Sequence, residues 1–173
     1  MSQPPSPPSL FGPEGLPPHP QAPKPATPLP QALAYTDGAC SGNPGKGGWA
    51  CLLKFGGKTE EHSGSAAHTT NNRMELQGAI EALTRLPIPH AVILHTDSQY
   101  VVKGMTEWLP GWRRRGWKNA QGKPVENKEF WETLSAAASK HKVTWQWVRG
   151  HNGHPENERV DKLAVEAYKK LAR

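Results

Sequence analysis

A chain of 173 residues and 19.0 kDa has room for one ordinary domain and excludes two. Its hydrophobic share of 35% suffices for a core once any polar tail is set aside, and two cysteines, Cys40 and Cys51, exclude a disulfide framework and have no partners at zinc spacing. The net charge of +6 points to a polyanionic partner, a nucleic acid or an anionic membrane surface, and no apolar run reaches the roughly 18 residues that a bilayer-spanning helix needs.

Twelve of the 18 prolines fall within residues 1–30, and residues 1–32 contain one acid, Glu14, and one base, Lys24. With few aliphatics beyond Leu10, Leu16 and Leu29, this stretch cannot offset its ordering entropy. It is expected to be a Pro-rich, disordered tail without a catalytic role; the alternative is a docking segment for a protein partner. It has no basic region leading into an apolar one, which argues against a secretory signal. A reduced, cytoplasmic protein is the expectation.

A folded domain is expected over residues 33–173. Leu33–Asp37 reads as a strand stopping at Gly38, and the Gly-rich residues 42–48 as a turn. Trp49–Phe55 and Lys58–Ser65 read as a hairpin joined at Gly56-Gly57. Leu76, Ala79, Ile80, Leu83 and Leu86 recur with helical spacing, which predicts a helix over Asn72–Leu86 ended by Pro87. Ala91–Thr96 is a short apolar run suited to a central strand, and a short helix follows Ser98. Lys128–Lys140 reads as a helix and Val143–Val148 as a strand. Pro155 opens a last helix with Val160, Leu163, Ala164, Ala167 and Leu171 facing inward. The order predicts an α/β fold: a five-stranded mixed sheet, three antiparallel N-terminal strands and two parallel ones, with helices on both faces.

Two strands end on Thr-Asp, at Thr36-Asp37 and Thr96-Asp97. As parallel neighbours they place both aspartates at the carboxyl edge of the sheet, about 4.8 Å apart, where open α/β sheets bind ligands. Such a pair repels unless a proton or cation lies between. The competing reading is that Asp97 with Ser98 caps the turn that follows. Glu75 lies about 70° from the centre of its helix's apolar stripe, at the border of the core, whereas Glu81 points to water. Asp161 lies about 100° from its own stripe and is equally readable as a solvated residue. Acids from four elements without clustered Cys or His suit Mg²⁺ or Mn²⁺ better than zinc. A pair of such ions would activate water and stabilise the leaving oxygen of a phosphodiester.

Residues 103–128 hold seven bases, Lys103, Arg113, Arg114, Arg115, Lys118, Lys123 and Lys128, against Glu107 and Glu126. Trp108, Trp112 and Trp117 are interleaved and read as a small local core for a protruding helix. Three consecutive arginines without nearby acids suit phosphate clamping. After the last strand, Gly150, His151, Asn152, Gly153 and His154 form a glycine-flanked loop; His154 is expected to pack near the helix start, and His151 to swing and move protons.

Four segments then resemble bacterial type 1 ribonuclease H: Tyr35–Cys40, Thr70–Leu76, Thr96–Val101 and Gly150–Asp161. The similarity runs in order and spacing from about Leu33 to the end. It implies a ribonuclease H-like fold and a Mg²⁺-dependent endonuclease cutting the RNA strand of RNA–DNA hybrids, with 3′-hydroxyl and 5′-phosphate products. It implies two ions, with Mn²⁺ as a substitute, on Asp37, Glu75, Asp97 and Asp161, and a proton-moving or product-releasing role for His151. It also implies RNA contacts by Asn43, Asn71 and Gln99, with Cys40 and Asn72 beside the hybrid, and a DNA-phosphate contact by Thr70. The basic protrusion with Trp108, Trp112, Arg113, Arg114, Arg115, Trp117 and Lys118 would bind substrate. Nothing in the sequence demands more than a monomer, and no membrane role is expected. The competing functions are a catalytically silent nucleic-acid-binding module and a DNA-directed relative of this fold; four intact acids weigh against the first, and Asn71, Asn72 and Gln99 against the second.

Overall fold

The computed structural model describes residues 28–150 and 153–171. The expected tail over residues 1–32 therefore lies outside the described residues as far as Thr27. Five strands, β1 (Gln31–Ser41), β2 (Gly45–Phe55), β3 (Lys58–Thr69), β4 (Ala91–Thr96) and β5 (Lys142–Trp147), form one sheet in the order β3-β2-β1-β4-β5. The first three pair antiparallel, and β4 pairs parallel with both β1 and β5. The helices are α1 (Asn71–Thr84), α2 (Gln99–Lys103), α3 (Leu109–Arg114), α4 (Lys128–Ala138) and α5 (Pro155–Lys169), with one π-helical turn, Gly104–Trp108, between α2 and α3. The mixed sheet is thus as expected.

Alternation along β2 explains the two layers. Cys51 and Leu53 join the larger core with Leu76, Ile80 and Leu83 of α1, whereas Ala50 and Leu52 pack with Val160 and Ala164 of α5. Adjacent strand residues point to opposite faces, so helices cover both. α5 spans β1, β2 and β3, while α1 lies on β1 and β2 and is backed by α4. Trp131 of α4 is fully buried and donates its indole Nε1–H to the Tyr100 hydroxyl at 3.1 Å.

Several details differ from the sequence reading: β3 runs on to Thr69, α4 ends at Ala138 and β5 covers Lys142–Trp147, and three further differences bear on packing. Only residues 42–44 turn; Gly45–Gly48 belong to β2 and extend the hairpin so that β1 runs to Ser41, with Gly38 opposite Trp49. Glycine serves close packing there: a Cβ on Gly48 would sit 2.1 Å from the Ala164 carbonyl oxygen of α5. α1 ends at Thr84 rather than Leu86, with Arg85 as its cap, because a residue before proline is driven out of helical conformation. Leu86 is buried even so. His154, expected to pack near the helix start, is exposed at the N-cap of α5, where its carbonyl accepts from the Glu158 N–H at 2.9 Å.

Candidate active site

The parallel register places Thr36 opposite Thr96, the last paired residues of β1 and β4. Asp37 and Asp97 are each the next residue, so the chain delivers both to the carboxyl edge together. β4 stops there while β1 continues against β2, which opens the sheet at that point.

α1 supplies the third acid. Thr70 caps its first turn by accepting the Arg73 N–H at 3.2 Å, worth about 1 kcal/mol. Glu75 then faces the sheet and is 4% exposed, and one oxygen from each of Asp37, Glu75 and Asp97 lies within 4.8 Å of the others. Gly38 permits this approach: a Cβ there would meet the Glu75 nitrogen at 2.3 Å. Its N–H donates to Asp37 Oδ1 and to Glu75 Oε1, each at 2.9 Å. Thr96 Oγ1 donates to Glu75 Oε2 at 3.5 Å. The turn after Asp97 is capped by Ser98, whose Oγ accepts the Val101 N–H at 3.1 Å, so the capping role read for the Asp97-Ser98 pair falls to the serine.

Burial pushes the Asp37 carboxyl far above the carboxylate range, and the Glu75 and Asp97 charges and a hydrogen bond with Asp161 push it further. Burial raises Glu75 too, opposed by the hydrogen bonds it receives from Asp37, Gly38 and Thr96. Among the described residues neither Asp37 nor Glu75 has a Lys or Arg in salt-bridge contact. Such a cluster holds protons when bare and favours a hard cation with oxygen ligands when charged. Its all-oxygen donor set fits a divalent ion of the Mg²⁺ class, and the nearest thiol, Cys40, is turned to the Gly45 and Thr69 carbonyl oxygens.

The acids sit in a cleft of about 550 Å³ whose walls include Cys40, Asn71, Asn72, Gln99 and Asp161. Asp161 on α5 thus faces the cleft, although it lies outside the tight trio. Asn43 reaches the same rim by accepting the Asn71 N–H on its Oδ1 at 3.1 Å. Ser98, read from sequence only as a cap, also lines the cleft, as do Tyr100, Val165 and Tyr168, which were not named as site residues. Val165 and Tyr168 stand four and seven positions after Asp161, on one helical face, a spacing that would have found them. His151 lies outside the described residues.

The basic segment is built as a strut. Trp112 packs between Trp117 and Trp131 with ring centroids 6.3 and 5.1 Å away, so Trp112 and Trp117 serve the core, whereas Trp108 is 38% exposed. Arg113 donates to Ser135 Oγ of α4, and Arg115 Nε donates to the Lys118 carbonyl oxygen at 3.1 Å. Arg114 and Lys118 are both exposed with no side-chain partner among the described residues.

A sequence model described as RNase H matches residues 30–169. The chain is 59% identical over 130 residues to "Ribonuclease H" of Xanthomonas campestris pv. campestris, covering 75% of this chain and 87% of that protein. It is 59% identical over 136 residues to "Ribonuclease H" of Bradyrhizobium diazoefficiens, covering 79% and 88%. Among solved structures it superposes on LC9-RNase H1, described as a type 1 RNase H with the type 2 active-site motif, with TM-score 0.74 and 37% identity over 84% of this chain and 75% of that one. LC11-RNase H1, solved in complex with RNA/DNA hybrid, gives TM-score 0.61 and 25% identity over 80% and 97%. A converged carboxylate trio on this sheet edge, two of them buried, within a sequence matched along nearly all its described length, makes the chain a member of the ribonuclease H family.

Proposed function

We propose that this ribonuclease H hydrolyses the RNA strand of RNA–DNA hybrids, with two Mg²⁺ ions held by Asp37, Glu75, Asp97 and Asp161, and leaves 3′-hydroxyl and 5′-phosphate ends. The observation that carries this reading is the convergence of three carboxylate oxygens within 4.8 Å, in a cleft rimmed by neutral amides. Bound divalent ions would neutralise the cluster and supply the Lewis acidity that water attack on a phosphodiester needs. Mn²⁺, with the same oxygen preference, would substitute.

The chain's own groups do the rest. The Gly38 N–H and Thr96 hydroxyl fix the Asp37 and Glu75 carboxylates before substrate arrives. Asn43, Asn71, Asn72 and Gln99, with Cys40 beside them, face the RNA strand. Amides both donate and accept, as a 2′-hydroxyl does, and the wide minor groove of an A-like hybrid exposes that hydroxyl. Thr70, at the start of α1, meets a phosphate of the DNA strand. Water attacks phosphorus, the P–O3′ bond breaks, and the departing O3′ takes up a proton; His151 is assigned to that proton or to product release. Trp108, Arg114 and Lys118 present the outer face of the protrusion to the hybrid, with Trp112, Trp117, Arg113 and Arg115 supporting it. The catalytic domain is residues 33–173, acting as a monomer, and residues 1–32 take no part in the chemistry. No described helix is long and apolar enough to cross a membrane, and the free thiols of Cys40 and Cys51 fit a reducing cytoplasm.

Incubation of strand-labelled hybrid, duplex RNA and duplex DNA with the protein, in Mg²⁺ or EDTA, tests this. The expected result is cutting of the RNA strand of the hybrid in Mg²⁺ alone. Cutting of duplex DNA, or undiminished activity in EDTA, overturns it.

A further inference from the structure

Trp147 ends β5, the edge strand beyond β4, and is 38% exposed. Its indole Nε1–H donates to the Asp97 backbone carbonyl at 3.1 Å. The exposed ring is thereby anchored beside a residue of the acid cluster. With Gln99, Val102 and Lys103 it walls a hollow of about 310 Å³. Gln99 also lines the acid cleft, so the two hollows adjoin through one side chain. Lys103, the last residue of α2, is exposed and makes no salt bridge among the described residues.

We propose that Trp147, Val102 and Lys103 form a subsite for one ribose–phosphate unit of the substrate strand, immediately beside the cleft; the proposal rests on the hybrid-cleavage reading above. In a duplex the bases are paired and stacked, so a surface flanking the cut meets ribose rings and phosphates. An indole face and valine methyls offer an apolar plate to ribose C–H groups, and the ammonium offers a point charge to phosphate. Four side chains are too few to enclose a free nucleotide, but they suit backbone passing through. The bond to Asp97 fixes the ring beforehand, so little side-chain freedom is lost on binding.

Steady-state cleavage of labelled hybrid, with equilibrium binding across a salt series in EDTA, tests the subsite. Lys103→Gln and Trp147→Ala should each raise KM about fivefold, the equivalent of one lost contact, with kcat kept within about twofold. Lys103→Gln should also flatten the log–log salt slope by about 0.9. Trp147→Phe keeps the plate without the indole donor and should raise KM clearly less than Trp147→Ala does. Unchanged KM and salt slope in Lys103→Gln and Trp147→Ala overturn the subsite while parent cleavage keeps the wider reading standing. Equal losses in Trp147→Phe and Trp147→Ala place the effect on the Asp97 bond and likewise overturn it. Failure of the parent protein to cut hybrid removes both readings together.

Discussion

The backbone N–H of Gly38 donates to Glu75 Oε1 at 2.9 Å, across 37 positions of sequence. The contact exists because β1 carries no side chain at that point, so α1 closes onto the strand. The same N–H holds Asp37 Oδ1, so one backbone group aligns two acids from two elements.

Gly38→Ala should therefore destabilise the fold by about 3 kcal/mol, because the added methyl overlaps backbone rather than a yielding side chain. Urea denaturation measures this. Mn²⁺ titration should weaken in parallel as Glu75 is pushed out of place. A loss below about 0.5 kcal/mol would show that α1 adjusts freely.

The raised acids give a definite pH dependence. In the folded, metal-free protein, Glu75 is lifted from an ordinary 4.5 to about 8, mainly by burial, and Asp37 is raised in the same sense. A folded-state value above the unfolded one stabilises at low pH, and that contribution drains away as pH rises through the folded value. Stability in EDTA should fall between pH 4.5 and about 8, and Mg²⁺ should restore most of it at the upper end. Glu75→Gln should flatten the profile. Thermal melts at pH 5, 7 and 9 with EDTA or Mg²⁺ provide the check; rising metal-free stability over this window contradicts it.

The three arginines should separate by role. Arg114 has no side-chain partner among the described residues, whereas Arg113 bonds Ser135 and Arg115 bonds the Lys118 carbonyl. Arg114→Ala should flatten the salt slope of hybrid binding by about 0.9 with little change in melting temperature. Arg113→Ala should lower stability by about 1 kcal/mol, since its partner loses a charge-assisted hydrogen bond. Equal salt effects from all three would mean that each meets a phosphate.

Most of the sheet and three of the four acids were legible from local chemistry. The paired Thr-Asp strand ends gave Asp37 and Asp97, and the helical stripe placed Glu75 at the core border. Asp161 stayed ambiguous because its angle from the stripe describes α5 alone, whereas its burial is set by how α5 crosses β1 and β2. The Gly45–Gly48 run misled because glycine signals both turns and close packing, and only the position of Ala164 separates the two. The Arg113 bond to Ser135, 22 positions away, has no signal in local sequence; it stands beside the phosphate-binding expectation for these exposed arginines and does not contradict it. Trp147 carried no signal beyond an alternating strand, because its bond to the Asp97 carbonyl depends on β4–β5 pairing.

The most direct test replaces Asp37 by Asn, which keeps shape and removes one charge. Hybrid cleavage in Mg²⁺ should fall at least about 10³-fold, while hybrid affinity measured in EDTA stays within about twofold of the parent. Cleavage retained near the parental rate would contradict the assignment of the converged carboxylates to metal-assisted hydrolysis.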